Sequence, residues 1–446
     1  MFQVNLYPNS AKNLYIAKSI NNIKKSNINN KDAISFTGNN ITIQKGNLSG
    51  ELREAVINLI ENTPTSDDEN FLGEGAIGKA YKLSMQDKNV VVKVAKKKEN
   101  TGIEKEASIL EKLPHSLQKT GQSLVAYGLT KDGYEFLVTN LVEGKNNTIP
   151  ENKEQLKSLI LGNFLELDKA GILHGDAGEG NILINSNKNE VNLIDYGYAR
   201  EFGIFNNNDE RMPKDLMLNS NILLFEIGGL DDYLVKLSDD KKPGKAHEFF
   251  KNYLDIKADY HNERVNYLQE EFKKRQTEFD AKETTRIKNC INYEKVLSKI
   301  LKNPSDEIIK MEAQRCQLLY SFNMANKNSF FNKPTDTITN WTRTIIYARK
   351  YKDTIQSKLN NCTDEDMKKY LEFQNQYADF YLKTFNNWGG GTINHIFNIF
   401  SNTNARLSER EKNIFNNGMQ NPLTQLNVGL LYSDTIDIEK SINNVQ

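Results

Sequence analysis

Three glycines and one lysine are the first residues whose types and spacing suggest chemistry. Gly73-x-Gly75-x-x-Gly78 follows one β-prone run and precedes another, and a further run carries Val91-Val92-Lys93-Val94. Glycines in a strand–turn–strand let backbone amides close over phosphates, and a lysine on the neighbouring strand can pair with them. A dinucleotide-binding turn has the same glycine spacing, but there the glycines lead into a helix and an acidic residue follows about 20 positions on. Here a strand follows. Taken alone, the pattern also fits a glycine hairpin beside a surface lysine.

The chain has 446 residues, enough for two or three domains. Lysine plus arginine number 58 and aspartate plus glutamate 58, so the net charge is zero and lends no support to a nucleic-acid binder, which needs a basic excess. Cys290, Cys316 and Cys362 lie far apart and form no CxxC or Cys/His cluster, which argues against a zinc site or a disulfide framework. The expectation is thiols in a reducing compartment. No run of about 18 apolar residues predicts a transmembrane helix. The N-terminus lacks the basic-then-apolar layout of a cleaved signal peptide.

Several elements must position the glycines and Lys93. Residues 1–48 are rich in Asn, Ser and Lys with sparse, aperiodic apolar residues, which predicts disorder. Two readings of that segment stay open: an inconsequential tail, or a secretion signal. Leu52, Ala55, Val56, Leu59 and Ile60 form a helical stripe. The order beyond is strand, strand, helix (IEKEASILEKL), strand (LVAYGL), strand (YEFLVTNLVEG), with turns at Asp87–Asn89 and Lys131-Asp132-Gly133. EQLKSLILGNFLELDKAGI predicts an amphipathic helix, and NILIN and VNLID predict two short strands. Pro213 and Asp215 open a helix with apolar residues around most of its circumference, as in a buried helix. Residues 245–302 are highly charged, with Val265, Leu268, Phe272 and Phe279 at heptad-like spacing, which predicts one long helix or a helical hairpin. Ser305 is a candidate cap for the next helix and Thr363-x-x-Asp366 a candidate capping box for another. Trp388-Gly-Gly-Gly391 is read as a helix break, and the last 25 or so residues as a loose tail.

Together these features resemble the protein kinase superfamily over roughly residues 68–230. FLGEGAIGKAYKL resembles its glycine-rich loop, which makes Gly73, Gly75 and Gly78 nucleotide-binding residues, and Lys93 sits where the ATP-positioning lysine belongs. In IEKEASIL the match puts Glu106, rather than Glu104, opposite Lys93. LVTNLVEG resembles the hinge, with Thr139 as gatekeeper and Asn140 to Val142 offering backbone groups to adenine. His174-Gly175-Asp176 and Asn181 keep the Asp-to-Asn spacing of the catalytic loop, and Asp195-Tyr196-Gly197 resembles the metal-binding Asp-Phe-Gly. The resemblance implies ATP and Mg²⁺ as cofactors, with Mn²⁺ as an alternative metal. Asn181 and Asp195 would give oxygens to the metal, Asp176 would orient the attacking hydroxyl, and Lys93 held by Glu106 would grip the phosphates. It also implies an α+β, two-lobed fold: an antiparallel sheet with one helix, then a helical lobe over 51–243, followed by an all-α extension over 244–446.

The match is incomplete. Gly175 stands where many relatives carry the Arg that receives an activation-loop phosphate, and Gly178 where Ser/Thr kinases carry a Lys. Asp215, the candidate anchor of the catalytic loop, comes soon after Asp195, and no Ala-Pro-Glu triplet intervenes. This shortened activation segment resembles the minimal kinases of injected bacterial effectors. The expectation is therefore a protein kinase, Ser/Thr rather than Tyr, acting on a host protein. Host cytoplasm is the expected location, with bacterial cytoplasm the alternative, and the helical extension is expected to bind the target or an activating host protein. HGD followed by a short segment also resembles antibiotic and choline phosphotransferases and the RIO and tRNA-modification kinases. Asp231, Asp232, Asp239 and Asp240 are acidic enough for a small-molecule kinase, although they read equally well as a solvated turn. The remaining alternative is a nucleotide-binding pseudokinase scaffold.

Overall fold

The structure, a computed structural model, describes residues 41–62, 69–75, 77–85, 88–99, 101–146, 150, 152–177, 179–205, 245–327, 334–375, 378, 379 and 382. Among the features read from the sequence, residues 1–40, Asp87, Gly178, the helix opening at Pro213 and Asp215, the Asp231–Asp240 cluster, the break at Trp388–Gly391 and the C-terminal tail lie outside the described residues. The described chain is mixed α+β, as expected: an antiparallel sheet comes first and helices dominate the rest.

The sheet has six strands: β1 (Ile41–Gly46), β2 (Phe71–Glu74), β3 (Gly78–Ser84), β4 (Asn89–Ala95), β5 (Leu124–Thr130) and β6 (Glu135–Asn140). Their spatial order is β1-β5-β6-β4-β3-β2, with every pair antiparallel. β1 corrects the sequence reading at 41–46, part of the 1–48 stretch read as disordered. Its alternation is too short to stand out in an Asn-rich stretch. It gains its order from pairing with β5, from Ile41 against Thr130 to Gly46 against Ala126.

Period-two alternation explains how the sheet places Lys93. Val90, Val92, Phe136 and Val138 bury on one face with Val56 of α1 (Gly50–Asn62). The residues between them point the other way. Lys93, Leu137 and Ala95 therefore share the opposite face, which packs on Ile103, Ala107 and Leu110 of α2 (Ile103–Lys112). A short α3 (His115–Thr120) leads back into β5.

Beyond the sheet, residues 153–169 form one helix, α4, whose central turn Ser158–Phe164 is π-type. Such a bulge shifts the side-chain register within a helix. Here Asn163 uses its Nδ2 to bond both Ser158 O (2.8 Å) and Val191 O (2.6 Å). β7 (Ile172–Leu173) pairs with β10 (Arg200–Glu201), and β8 (Ile182–Asn185) with β9 (Glu190–Leu193). The charged stretch is a helical hairpin, α5 (Lys245–Lys274) and α6 (Ala281–Ile300), turned by a 3₁₀ element at Gln276–Glu278. α7 (Asp306–Lys327) starts under Ser305, whose Oγ accepts from Ile308 N–H at 3.4 Å. α8 (Pro334–Leu359) and helical residues 365–375 follow. The cap of the last is Asp364, not Thr363: Asp364 Oδ1 accepts from Met367 N–H at 2.7 Å. Both side-chain types cap helices, and the sequence pattern alone was off by one residue.

One apolar cluster runs from α2 through α4 and β8–β9 into α5, α7 and α8, joining Leu110, Leu159, Leu193, Leu254, Ile309 and Tyr351. The described C-terminal helices thus share a core with the elements that carry HGD and DYG. Among the described residues, no helix is long and apolar enough to cross a membrane.

Candidate active site

Lys93, Glu106 and Asp195 come together from three elements. The Lys93 Nζ lies 2.7 Å from Glu106 Oε2 and 3.1 Å from Asp195 Oδ1. Glu106 reaches it because α2 packs on the face of the sheet that carries Lys93. Glu104, two residues back, faces solvent. Burial alone would lower the Lys93 ammonium, but the carboxylates of Glu106 and Asp195 outweigh it and hold its pKa above the ordinary value. Burial pushes the Glu106 carboxyl up, with Lys93 only partly opposing it. The Glu106 side chain is 1% exposed and that of Asp195 44%. One acid therefore anchors the lysine from inside while the other faces the open side.

The glycine segment is the β2–β3 hairpin. Gly73 has φ +153, and a Cβ built on Gly73 or Gly75 would meet nothing within 4 Å. Among the described residues, nothing crowds the side-chain position of either glycine. Gly78 differs: a Cβ there would lie 2.6 Å from Val94 O, so its glycine serves the close β3–β4 approach. Lys96, unremarked in the sequence, donates to Gly75 O at 2.7 Å and pairs with Glu74, holding the hairpin tip.

The residues of the HGD stretch are placed by a buried histidine. His174 Nδ1 accepts from Asp176 N–H at 3.3 Å, and its Nε2–H donates to Ile194 O at 3.1 Å. That pair of bonds sets the neutral Nε2–H tautomer. Burial lowers the ring to about 4, which agrees. Gly175 has φ +81, a left-handed backbone that a Cβ-bearing residue adopts at a cost. The glycine in the arginine position is thus suited to the loop's own geometry. Asp176 is exposed, and Asn181 Nδ2 donates to its backbone O (2.8 Å) and to its Oδ2 (2.9 Å).

Asn181 and Asp195 lie at one end of the β8–β9 hairpin, where Ile194 N–H bonds Asn181 O at 2.9 Å. With its NH₂ committed to Asp176, Asn181 turns its amide oxygen elsewhere. An amide oxygen and a carboxylate are the donor types a hard cation takes. Among the described residues, no group of three His, Cys, Asp or Glu forms a metal cage. Magnesium fits such a sparse set, since it keeps waters and takes its other oxygens from substrate phosphates. Gly197 leaves room for the carboxylates, because a Cβ there would come within 3.2 Å of Asp195 Oδ1.

The residues that resemble a hinge divide into two roles. Thr139 is buried at 3% exposure opposite Val91. Asn140 uses its side chain as a clasp: Oδ1 accepts from Ser123 N–H at 2.5 Å and Nδ2 donates to Gly121 O at 2.8 Å. The Asn140 and Leu141 amides are also taken, by Ser123 O (3.2 Å) and Asn89 O (3.0 Å). Of the three hinge amides expected to face adenine, that of Val142 has no strand carbonyl as partner among the described residues. Gln122 was not foreseen. Its Oε1 accepts from Asp195 N–H at 2.9 Å and its Nε2 lies 3.5 Å from Thr139 Oγ1. No motif surrounds Gln122, and its partner is 73 residues away, so the sequence carries no signal for it.

No family model matches the chain. Over 114 residues it is 27% identical to "Uncharacterized protein L702" of Acanthamoeba polyphaga mimivirus, a match covering 25% of this chain and 15% of that protein. Vaccinia related kinase 3 is similar at 16% identity and a TM-score of 0.25, over 30% of this chain and 47% of that one. The matches thus span less than half of either protein. The architecture of the described residues is mixed α+β.

Proposed function

We propose that this chain is an ATP-dependent phosphotransferase that uses Mg²⁺ to move the γ-phosphate to a hydroxyl. The observation that carries the reading is Lys93 Nζ held between buried Glu106 and half-open Asp195 beside a glycine hairpin. Phosphoryl transfer depends on positioning and charge neutralisation, and these residues supply both. Gly73 and Gly75 leave room for phosphates, Lys93 grips them, and the Val142 amide faces the adenine. Asn181 and Asp195 would hold Mg²⁺, which neutralises charge on the phosphate oxygens. Asp176 orients the acceptor hydroxyl and takes its proton.

A protein hydroxyl is the acceptor we favour, because the glycine-rich segment resembles that of protein kinases and Asp176 is exposed. The two-lobed division, Ser/Thr preference, a host target and an effector role rest on the sequence resemblance. The test is Mg-ATP binding and γ-phosphate transfer by the purified chain, beside Asp195→Ala. Transfer that depends on Asp195 supports the reading. Near-wild-type transfer by Asp195→Ala would remove this site from it.

A further inference from the structure

We propose that Gln122 is a positioning residue for Asp195, fixing the peptide that aims its carboxylate at the metal; the assignment rests on the phosphotransferase reading above. Asp195 is one of three described non-glycine residues with positive φ, at φ 61 and ψ 72. A left-handed aspartate persists only where its surroundings over-determine it. The decisive group is the peptide between Ile194 and Asp195. Its oxygen accepts from His174 Nε2–H at 3.1 Å, and its N–H donates to Gln122 Oε1 at 2.9 Å. One planar amide is thus gripped at both ends, which fixes the rotations on either side of it. His174 belongs to the HGD motif, so the catalytic loop holds one end. The segment entering β5 holds the other.

Gln122 is itself held rigidly. The Asn140 side chain bonds the carbonyl of Gly121 and the amide of Ser123, the residues on either side. Gly121 N–H is tied to Leu117 O at 2.8 Å. The amide orientation of Gln122 is unambiguous, because a backbone N–H needs an oxygen partner. The other end of that amide reaches Thr139 Oγ1 at 3.5 Å. The gatekeeper position and the metal-facing aspartate are therefore joined through a single side chain.

Gln122→Met keeps the length and removes the acceptor, while Gln122→Glu keeps an oxygen there. Two quantities are read in the full chain: hydrogen exchange of the peptide spanning 194–198, and phosphate transfer against Mg²⁺ concentration with the KM for ATP. Supporting the metal ligand from outside carries about 10–100-fold in metal affinity or activity. Gln122→Met should exchange the Asp195 amide faster and need about tenfold more Mg²⁺ or turn over about tenfold slower, with KM for ATP nearly unchanged. Gln122→Glu should recover most of both. The assignment is overturned if Gln122→Met keeps Asp195 protection and wild-type Mg²⁺ dependence. It is equally overturned if Met and Glu lose alike, with exchange rising across β5 and β6, which is what a merely structural glutamine predicts. A wild-type chain that neither binds Mg-ATP nor transfers phosphate defeats the phosphotransferase reading instead, and the exchange result still reports whether Gln122 holds Asp195.

Discussion

Two of the charge clusters among the described residues are built differently. At the candidate active site, Lys93 joins Glu106 and Asp195 with one acid buried and the other half open. Further down, Asp168 of α4, Arg264 and His261 of α5, and Glu294 of α6 are all essentially inaccessible. Arg264 bonds Asp168, Glu294 Oε1 (3.1 Å) and Ile204 O (3.0 Å), while His261 Nδ1 lies 2.5 Å from Glu294 Oε2. Burial alone would raise the Glu294 carboxyl, but His261 and Arg264 outweigh it and hold it below the ordinary range. The buried cluster locks helices together and ties them to the residues following DYG. The open one presents the Asp195 carboxylate to solvent. Exposure of one member, rather than the count of charges, separates a site from a brace.

The largest effect should come from the brace. Arg264→Ala leaves Asp168 and Glu294 buried without their guanidinium, and breaking a buried ion pair costs about 3–5 kcal/mol. Urea unfolding checks this. A loss under about 1 kcal/mol, the value of a surface pair, would put the two clusters in the same class.

Lys93→Met should behave in the opposite way. Transfer should fall about 100-fold or more, as when a preorganised charge-stabilising donor is removed, with stability changing much less than in Arg264→Ala. The reason is Glu106: burial already pushes its carboxyl up, so without Lys93 it takes a proton instead of standing as an unpaired charge. Parallel assays of rate and unfolding decide. Equal stability losses in the two variants would erase the contrast.

A pH titration sharpens the same point in a second brace. Glu312 accepts from Arg315 Nη2 (2.8 Å) and from Tyr370 O–H (2.6 Å) and faces Lys257. Burial would raise its carboxyl, but Arg315, Lys257 and Tyr370 outweigh burial and lower it to about 2 from 4.5. The folded state thus binds its proton later than the unfolded one. The stabilisation is fully present above about pH 4.5 and is lost as pH falls through about 2, amounting to about 3 kcal/mol. Acid unfolding of wild type against Glu312→Gln measures it. Identical pH slopes below 4.5 would refute it.

The site was more legible in the sequence than the braces, and the physics explains why. Lys93, Glu106, Asp176, Asn181 and Asp195 belong to short motifs whose residue types the chemistry dictates. Strand alternation then carries Lys93 to the face where α2 packs. Arg264 lies 96 residues from Asp168, in a stretch whose high charge reads as a solvated surface. Yet Lys257, His261, Arg264 and Leu268 share one stripe of α5 and are all buried. Charges that pair only through tertiary contact leave no local pattern. Gln122 was invisible for the same reason, and β1 because a partner strand about 80 residues on orders it.

The smallest expected effect tests the loop that the open site depends on. Gly175 stands where the resemblance places an arginine, and its φ of +81 gives the glycine a role of its own. A Cβ in the left-handed region costs about 1–2 kcal/mol, and asparagine tolerates that region better than alanine does. Gly175→Ala should therefore be destabilised by about 1 kcal/mol, Gly175→Asn by less, and Gly175→Arg by at least as much as Ala. Transfer should fall in the same order, because Gly175 sits between His174 and Asp176 and any local rearrangement moves the Asp176 carboxylate. Unfolding free energies for the three variants supply the ranking. If Ala and Arg match wild type in both stability and rate, the left-handed turn is dispensable and only the missing guanidinium distinguishes Gly175. If Asn alone is tolerated, the backbone, not the missing guanidinium, is what selects glycine there.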